Sequence, residues 1–303
     1  MNESSGRSGI LLIDKSGAMT SHDVVSRVRK LAGTRRVGHA GTLDPMATGL
    51  LVLGLNGATR LLTYLVGLDK TYEATIRLGA STPTDDADSP VDVVADPKRL
   101  AELTEGEVRE SIVPLTGKIS QVPSAVSAIK VDGRRAYERV RAGEHVELAS
   151  RPVTVSEFGI LATRHGEFFD VDVRIECSSG TYIRALARDL GSALGVGGHL
   201  TALRRTKVGP FDVSAARTLR EVVVHRDLWT PAEIARSLFP VIELTEQQAI
   251  DLGHGKRLAE DGSAPHPDVE PAAAIAPDGR LVGLVSISGG IVTPILNLPP
   301  ESG

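Results

Sequence analysis

A nine-residue stretch of strict alternation, residues 169–177, constrains the fold of this chain more than any other feature. Its apolar members occupy every second position: Phe169, Val171, Val173, Ile175 and Cys177. The positions between them are charged: Asp170, Asp172, Arg174 and Glu176. Because successive side chains of a β-strand point to opposite faces of a sheet, this pattern predicts a strand with one buried and one solvated face. Residues 72–78 alternate similarly and residues 50–55 are largely apolar, so a sheet of several strands is expected.

Two amphipathic helices are predicted beside these strands. The first begins at a capping box formed by Thr20 and Asp23 and ends at Gly33. Its buried face is expected to contain Val24, Val25, Val28 and Leu31. The second helix follows Gly180 and should turn four apolar residues inward: Ile183, Leu186, Leu190 and Leu194.

A change in sequence character near Pro240 divides the chain into two predicted domains. Residues 1–238 carry the long strands and helices. Residues 239–303 contain short β-like segments between glycine and proline turns, which predicts a small β-barrel or sandwich. Within the first domain, residues 81–110 hold nine acidic and three basic residues and are expected to form an exposed loop followed by a helix from Pro97.

The charge of the chain limits how it can bind a nucleic acid. Its net charge is −4, so contact with RNA would have to come from a local basic patch. The segment from Lys118 to Arg141, with six basic and two acidic residues, is such a patch. Cys177 is the only cysteine, which excludes an intrachain disulfide and fits a reducing cytoplasm. The N-terminal residues lack a signal-peptide core and no run of about 18 apolar residues exists, so no membrane partner is expected.

Several common catalytic motifs are absent from the sequence. It contains no dinucleotide-binding G-x-G-x-x-G after a strand and no nucleophile elbow. Gly117-Lys118-Ile119 fails the final position of a P-loop, and the eight histidines form no H-E-x-x-H motif. We therefore expect an activity that uses neither a metal ion nor an organic cofactor.

One irregular loop combines a carboxylate with small neighbours. Residues 38–49 read Gly-His-Ala-Gly-Thr-Leu-Asp-Pro-Met-Ala-Thr-Gly and lie between a basic helix and a buried strand. Glycines let a large ligand approach the backbone closely, and Pro45 restricts Asp44 to an extended backbone conformation. An Asp-Pro pair in a loop is most often a turn with a solvated carboxylate, so these features alone leave a structural and a catalytic interpretation open.

The same loop resembles the G-H-x-G-x-L-D-P motif of the TruB family of pseudouridine synthases, in which the aspartate is catalytic. Further segments resemble this family in the expected order: Asp14-Lys15, Lys70-Thr71-Tyr72, Cys177 to Arg184, and Leu200 to Arg205. The resemblance covers about residues 9–212 and extends more weakly to the C-terminus. One departure is visible, because the family's Asp-Lys-Pro-x-Gly pattern reads Asp14-Lys15-Ser16-Gly17-Ala18 here, which removes a proline and shifts the glycine.

The resemblance implies a fold and a reaction. The expected fold is α+β, with a mixed, mostly antiparallel sheet flanked by helices and a C-terminal PUA-like RNA-binding domain. The expected reaction is isomerisation of the T-loop uridine of tRNA (position 55) to pseudouridine after the base has been flipped out, without a cofactor. The expected partner is the T arm of tRNA, with the acceptor stem touched by the C-terminal domain and a basic, movable segment of about residues 118–143 closing over the loop.

The resemblance also implies roles for individual residues. Asp44 would be the nucleophile, attacking either the base or the sugar, and Arg184 would keep its carboxylate charged. Tyr72 would stack on the base and assist proton removal from C5. The remaining expected contacts with substrate are His39, which would fill the gap left by the base, Tyr182 and Leu203 as pocket walls, and Lys15. Without the resemblance, Tyr72, Tyr182 and Leu203 would be interpreted as ordinary core residues, and Arg184 as a surface residue.

Other functions use some of the same features. A guide-RNA-dependent synthase of the same superfamily is one alternative, although the short N-terminus and modest C-terminal region favour a stand-alone enzyme, expected to be a monomer. A tRNA-binding folding helper would use the same surface. A carboxylate hydrolase acting on sugars would need a second acid across the bond from Asp44, and the sequence near Asp44 offers no evident candidate.

Overall fold

The computed structural model of this chain describes residues 6–124, 130–131, 134–135, 148–259 and 267–298. The predicted basic segment of about residues 118–143 therefore lies largely outside the described residues.

The strands of the described residues are β1 (Gly9–Lys15), β2 (Val37–His39), β3 (Thr48–Leu55), β4 (Lys70–Leu78), β5 (Ala80–Ser81), β6 (Val93–Val94), β7 (Gly117–Gln121), β8 (Lys130–Val131), β9 (Arg134–Arg135), β10 (Arg151–His165), β11 (Phe169–Cys177), β12 (Gly198–Val208), β13 (Phe211–Asp212), β14 (Leu228–Trp229), β15 (Val241–Glu243), β16 (Leu258–Ala259), β17 (Val269–Ile275), β18 (Leu281–Ser288) and β19 (Ile291–Asn297). The α-helices are α1 (Ser21–Ala32), α2 (Leu62–Val66), α3 (Pro97–Glu102), α4 (Glu105–Ile112), α5 (Ile183–Ala193), α6 (Val224–Asp227), α7 (Pro231–Leu238) and α8 (Glu246–Gly253).

A large mixed sheet forms the main part of the fold. Its strand order is β14-β1-β3-β12-β4-β11-β10-β7, with β2 paired to β3 and β13 paired to β12. Every pair in this sheet is antiparallel except β12 with β3. The expected α+β fold with a mostly antiparallel sheet is thus confirmed.

Alternation in the sequence determines which face of the sheet is buried. The strand predicted from residues 169–177 is β11, and its partner β4 pairs Tyr72 with Ile175 and Ala74 with Val173. Val171, Val173 and Ile175 are fully buried in a core that α1 and α5 share with this face. Because apolar residues alternate in both strands and face each other in this register, the apolar side chains of β4 and β11 lie on one side of the sheet, where the helices cover them.

Local capping chemistry sets the ends of α1. The Thr20 hydroxyl accepts a hydrogen bond from the Asp23 N–H (3.1 Å), and the Asp23 carboxylate accepts one from the Thr20 N–H (2.8 Å), so the predicted capping box is confirmed. Gly33 ends the helix with φ 63°. The prediction that Leu31 is buried is wrong, because it is 46% exposed and Ala32, one turn after Val28, completes the buried face.

A second sheet of five strands lies at the C-terminal end of the chain, in the order β15-β17-β18-β19-β16. The short β-like segments expected after Pro240 include Ala273–Ile275, Leu281–Ile287 and Ile291–Leu296, which lie in β17, β18 and β19. One face of this sheet has its own core, while Ala273, Ile275 and Leu284 join a core that includes Ile10 and Val52 of the large sheet. This shared core, which also contains Ile234 and Ala235 of α7, connects the C-terminal sheet to the large sheet. The boundary near Pro240 and the PUA-like character stay predictions.

Across the described part of the chain, no helix combines the length and the apolar character needed to span a membrane.

Candidate active site

Asp44 lies in the loop that joins β2 to β3, and three buried polar groups hold the main chain of this loop. The Arg205 guanidinium donates to the Gly41 carbonyl (3.0 Å). The Ser21 hydroxyl accepts from the Leu43 N–H (2.9 Å) and donates to its carbonyl (3.1 Å). The Lys15 ammonium donates to the Pro45 carbonyl (3.3 Å). Side chains from β1, β12 and α1 thus hydrogen-bond to the main chain of the loop, each within three residues of Asp44.

Lys15 lies beneath the loop. Its ammonium is fully buried and also donates to the carbonyls of Ser16 (3.1 Å) and Met19 (2.7 Å). Burial lowers the pKa of Lys15 from 10.5 to about 8, against the opposing effect of the Asp44 charge. All three contacts are with main-chain oxygens, so in this structure Lys15 shapes the loop that carries Asp44.

The turn after Lys15 has alanine where the family pattern has glycine, and the backbone conformation at this position is unfavourable for alanine. Ala18 has φ 61°, a left-handed conformation that glycine adopts without strain. The family places its glycine at this position, whereas this chain has its glycine one residue earlier, at Gly17.

Gly49 lets β3 approach β12 directly behind the loop. It has φ 98°, and an added Cβ atom would lie 2.2 Å from the carbonyl oxygen of Arg205. No larger residue fits there without moving a strand, so this glycine sets the distance between the loop and β12.

The Asp44 carboxylate forms an ion pair with Arg184. Its Oδ2 lies 3.0 Å from Nε of Arg184, whose side chain is only 6% exposed, while the Asp44 side chain is 36% exposed. Nη1 of Arg184 lies 3.3 Å from Oδ2 of Asp86 and donates to the Thr84 carbonyl (2.8 Å). One guanidinium therefore joins two carboxylates, of which only Asp44 is open to a ligand.

Asp86 is a site residue that the sequence analysis missed. Its side chain is 3% exposed, and its Oδ1 accepts from the Thr84 hydroxyl (2.6 Å) and the Asp88 N–H (3.0 Å). The prediction that residues 81–110 begin as an exposed loop is wrong at this point, because Arg184 compensates the charge of Asp86. The predicted helix from Pro97 is confirmed as α3.

Tyr72 and Leu203 lie on neighbouring strands of the sheet. Tyr72 is 9% exposed, and burial raises the pKa of its phenol, with the Asp44 charge adding to the effect and the Arg205 charge opposing it. Tyr72 is therefore a neutral phenol within electrostatic reach of Asp44. Leu203, opposite Ala74 in the sheet, lines an open groove of about 550 Å³ that Met46 of the Asp44 loop also borders.

His39 and Tyr182 flank the same region. The His39 ring is half-buried and packs edge-on against the His22 ring, with centroids 6.2 Å apart. Burial, with a smaller contribution from His22, lowers the pKa of His39 and favours the neutral imidazole. Tyr182 is the N-cap residue of α5, two positions before Arg184, and is also half-buried.

Within the part of the chain that the structure describes, no three His, Cys, Asp or Glu side chains are grouped in a way that could hold a metal ion.

Sequence comparison identifies close relatives along the whole chain. Residues 29–183 match the family model described as TruB family pseudouridylate synthase (N terminal domain), and residues 184–246 and 239–299 match two models of the corresponding C-terminal domain. A tRNA pseudouridine synthase B from Leifsonia xyli subsp. xyli (strain CTCB07) is 59% identical over 97% of both chains. One from Arthrobacter sp. (strain FB24) is 56% identical over 97% of this chain and 98% of its own.

Solved structures share the fold at lower identity. A chain in the structure of an H/ACA RNP bound to a substrate RNA containing 2′-deoxyuridine has a TM-score of 0.70 and 23% identity, covering 99% of this chain and 92% of that chain. A chain in an archaeal box H/ACA sRNP Nop10-Cbf5 complex has a TM-score of 0.70 and 24% identity, covering 96% of this chain and 86% of that chain. At this identity the similarity establishes the fold alone.

Proposed function

This chain belongs to the TruB family of pseudouridylate synthases, and from that premise we propose that it isomerises the T-loop uridine of tRNA to pseudouridine with Asp44 as the nucleophilic carboxylate. The observation that carries the proposal is the partly exposed Asp44 carboxylate, held 3.0 Å from the buried guanidinium of Arg184. We place the reaction in the cytoplasm, where a single, buried, unpaired Cys177 is stable.

The chemistry requires a carboxylate that is ionised and aimed. Pseudouridine forms when the N1–C1′ bond of the nucleotide breaks, the uracil turns, and C5 bonds to C1′ with loss of the C5 proton. The Arg184 guanidinium pairs with the Asp44 carboxylate and fixes the position of one of its oxygens. The hydrogen bond from Lys15 to the Pro45 carbonyl keeps the loop in place while the base moves. A carboxylate so placed can attack the base or the sugar.

We expect Tyr72 to contact the base as a neutral phenol and not as a phenolate. Burial raises the pKa of its phenol, so Tyr72 is protonated near neutral pH and offers an aromatic face and a hydroxyl within electrostatic reach of Asp44. Stacking on aromatic side chains offsets the cost of flipping a base, which is roughly a few kcal/mol. The neutral imidazole of His39, at the rim of the Asp44 loop, suits insertion into the stack that the base leaves.

Recognition of tRNA should combine shape with local charge. Single-stranded loops with splayed bases are the usual target of specific RNA-binding proteins, which fits the T loop. Because the net charge of the chain is −4, contacts with RNA phosphates should come from local basic segments. Such contacts are weakened by added salt, so tRNA binding should weaken as well. The C-terminal sheet, which shares a core with the large sheet, is the candidate for contact with the acceptor stem.

A sugar hydrolase is a poorer match to this site. That chemistry needs a second free carboxyl group across the scissile bond. The acid that shares Arg184 with Asp44 is Asp86, which is 3% exposed and bonded to Thr84 and the Asp88 main chain. Asp86 is therefore not available to protonate a leaving group, and a hydrolase would have to use another acid such as the exposed Asp88, whose pKa is raised by partial burial and by the charges of Asp86 and Asp44.

Tritium release from tRNA that carries 5-tritiated uridine tests the proposal. The wild-type protein should release tritium, and Asp44→Asn should release none while still binding the tRNA. A tRNA with cytidine in place of the T-loop uridine should give no release with either protein. Equal release by wild type and Asp44→Asn would remove Asp44 from the mechanism, and undiminished release from the cytidine-substituted tRNA would refute the T-loop assignment.

A further inference from the structure

The side chain of Gln121 makes a paired contact with the main chain at the start of α5. Gln121 is the last residue of β7, at the edge of the large sheet, and is 2% exposed. Its Oε1 accepts from the Tyr182 N–H (2.8 Å) and its Nε2 donates to the Tyr182 carbonyl (3.1 Å). The main-chain donor and acceptor determine which way the amide faces, so both ends of the carboxamide are satisfied.

This contact occupies an unusual place in the helix. Tyr182 is the N-cap residue of α5, and tyrosine is not among the short polar residues that usually cap a helix with their own side chains. A glutamine 61 residues earlier in the chain instead holds both main-chain groups of this position. The direction in which the chain enters α5 therefore depends on Gln121.

Arg184 lies at the second helical position after this clamp. Its guanidinium must reach Asp44 and Asp86 at once, at 3.0 and 3.3 Å. A guanidinium that serves two carboxylates tolerates little rotation of its helix, because a shift that improves one contact lengthens the other. The orientation of the first turn of α5 thus determines how Arg184 meets Asp44.

A second contact, one turn further along α5, keeps the same two segments together. Arg188 donates to the Val122 carbonyl (2.8 Å), and its Nη1 lies 3.4 Å from Oδ2 of Asp85. Residues 121–122 and the loop at residues 84–86 therefore hold α5 from two sides. Gln121 contributes the contact nearest to Arg184.

We infer that Gln121 is a positioning residue for catalysis, which acts by setting the main chain of Tyr182 and, through it, the placement of Arg184 beside Asp44. The inference rests on the proposed function, because it assigns Gln121 to the same reaction. Gln121 contacts the main chain of Tyr182 and not the Asp44 carboxylate, so its loss should slow the chemical step and leave tRNA affinity nearly unchanged.

Gln121→Met removes the hydrogen-bonding carboxamide and keeps a side chain of similar length, so it tests whether the two contacts with Tyr182 matter. We expect the single-turnover rate of tritium release to fall on the order of tenfold, because small misplacements of catalytic groups reduce rates strongly, while the tRNA dissociation constant stays within about threefold. Hydrogen exchange at residues 181–186 should increase in this variant, which reports the clamp without relying on activity.

Gln121→Glu supplies a pH-dependent readout within one folded variant. A protonated carboxyl can accept from the Tyr182 N–H and donate to its carbonyl, whereas the ionised form repels that carbonyl. The rate of the variant relative to wild type should therefore rise by about tenfold between pH 8.5 and pH 6, since burial raises the pKa of a carboxyl at this position. Gln247→Glu, an exposed site on α8, adds the same charge and should show a constant ratio.

The outcomes separate the two claims. Wild-type rates in Gln121→Met, or a constant ratio across pH for Gln121→Glu, would overturn the inference and leave the proposed function intact. A loss of rate explained entirely by weaker tRNA binding would also overturn it. Absence of tritium release by the wild-type protein would refute the proposed function and the catalytic role of Gln121 with it.

Discussion

Replacing Lys15 by Met removes a buried ammonium, and the structure predicts that the effect on stability depends on pH. Lys15 is fully buried, and its pKa is lowered from 10.5 to about 8 mainly by desolvation. Between these two values the unfolded chain carries a proton that the folded chain lacks. The contribution of Lys15 to the free energy of unfolding therefore rises with pH across this window.

The size of this effect follows from the shift. A shift from 10.5 to about 8 corresponds to about 3 kcal/mol of unfavourable burial of the charge, which is fully present well below pH 8. Raising the pH from 7 to 9.5 should relieve about 2 kcal/mol of it. The wild-type protein should gain about that much stability relative to Lys15→Met, because other titrating groups are common to both proteins and cancel.

Urea unfolding of both proteins at pH 7 and pH 9.5 measures this difference. Lys30→Met, which removes an exposed lysine of α1, controls for the change in net charge. A wild-type minus Lys15→Met difference that stays constant with pH would refute the argument. The neutral amine also has fewer N–H donors, so activity should decline above about pH 8 as the 3.3 Å contact with Pro45 weakens.

Three further substitutions test other parts of the site. Asp86→Asn keeps the shape but removes the charge facing Arg184, so single-turnover tritium release should fall by roughly ten- to a hundredfold, the range for loss of a charge-assisted hydrogen bond; an unchanged rate would argue that Asp86 is only structural. Gly49→Ala should destabilise the fold by about 3 kcal/mol or more in urea unfolding, since the new Cβ atom meets the Arg205 carbonyl at 2.2 Å; a change below about 0.5 kcal/mol would contradict the close approach. Ala18→Gly should raise the free energy of unfolding by about 1 kcal/mol, because φ is 61° there, and a decrease would show that the backbone is not strained.

Local patterns in the sequence predicted several elements whose physical cause is local. The alternation at residues 169–177 predicted β11, because only a β-strand turns every second side chain to the same face. The capping box of Thr20 and Asp23 predicted the start of α1, because both hydrogen bonds lie within three residues. The Asp44 loop was recognised from its own residues through their likeness to a known family.

The contacts that hold the candidate site were not visible in the sequence. Asp86 lies in an acidic stretch whose composition is typical of an exposed loop, and the cation that compensates its charge, Arg184, is nearly one hundred residues away in the chain. Gln121 has no motif of its own that reports its contact with Tyr182. Ser21 lies inside the predicted capping box, and nothing in that pattern reports that its hydroxyl bonds to the main chain of Leu43.

The amino-acid sequence alone determined the alternating strands β4 and β11 and the start of the first helix, since these depend on hydrophobic period and capping residues that are neighbours in the chain. Tertiary structure alone decided which polar side chains are buried and what each one holds: Arg184 between two carboxylates, Lys15 beneath Pro45, and Gln121 against Tyr182. The physical reason is that a polar group is stable in the interior only when its partner is present, and that partner is supplied by the fold from a distant part of the chain.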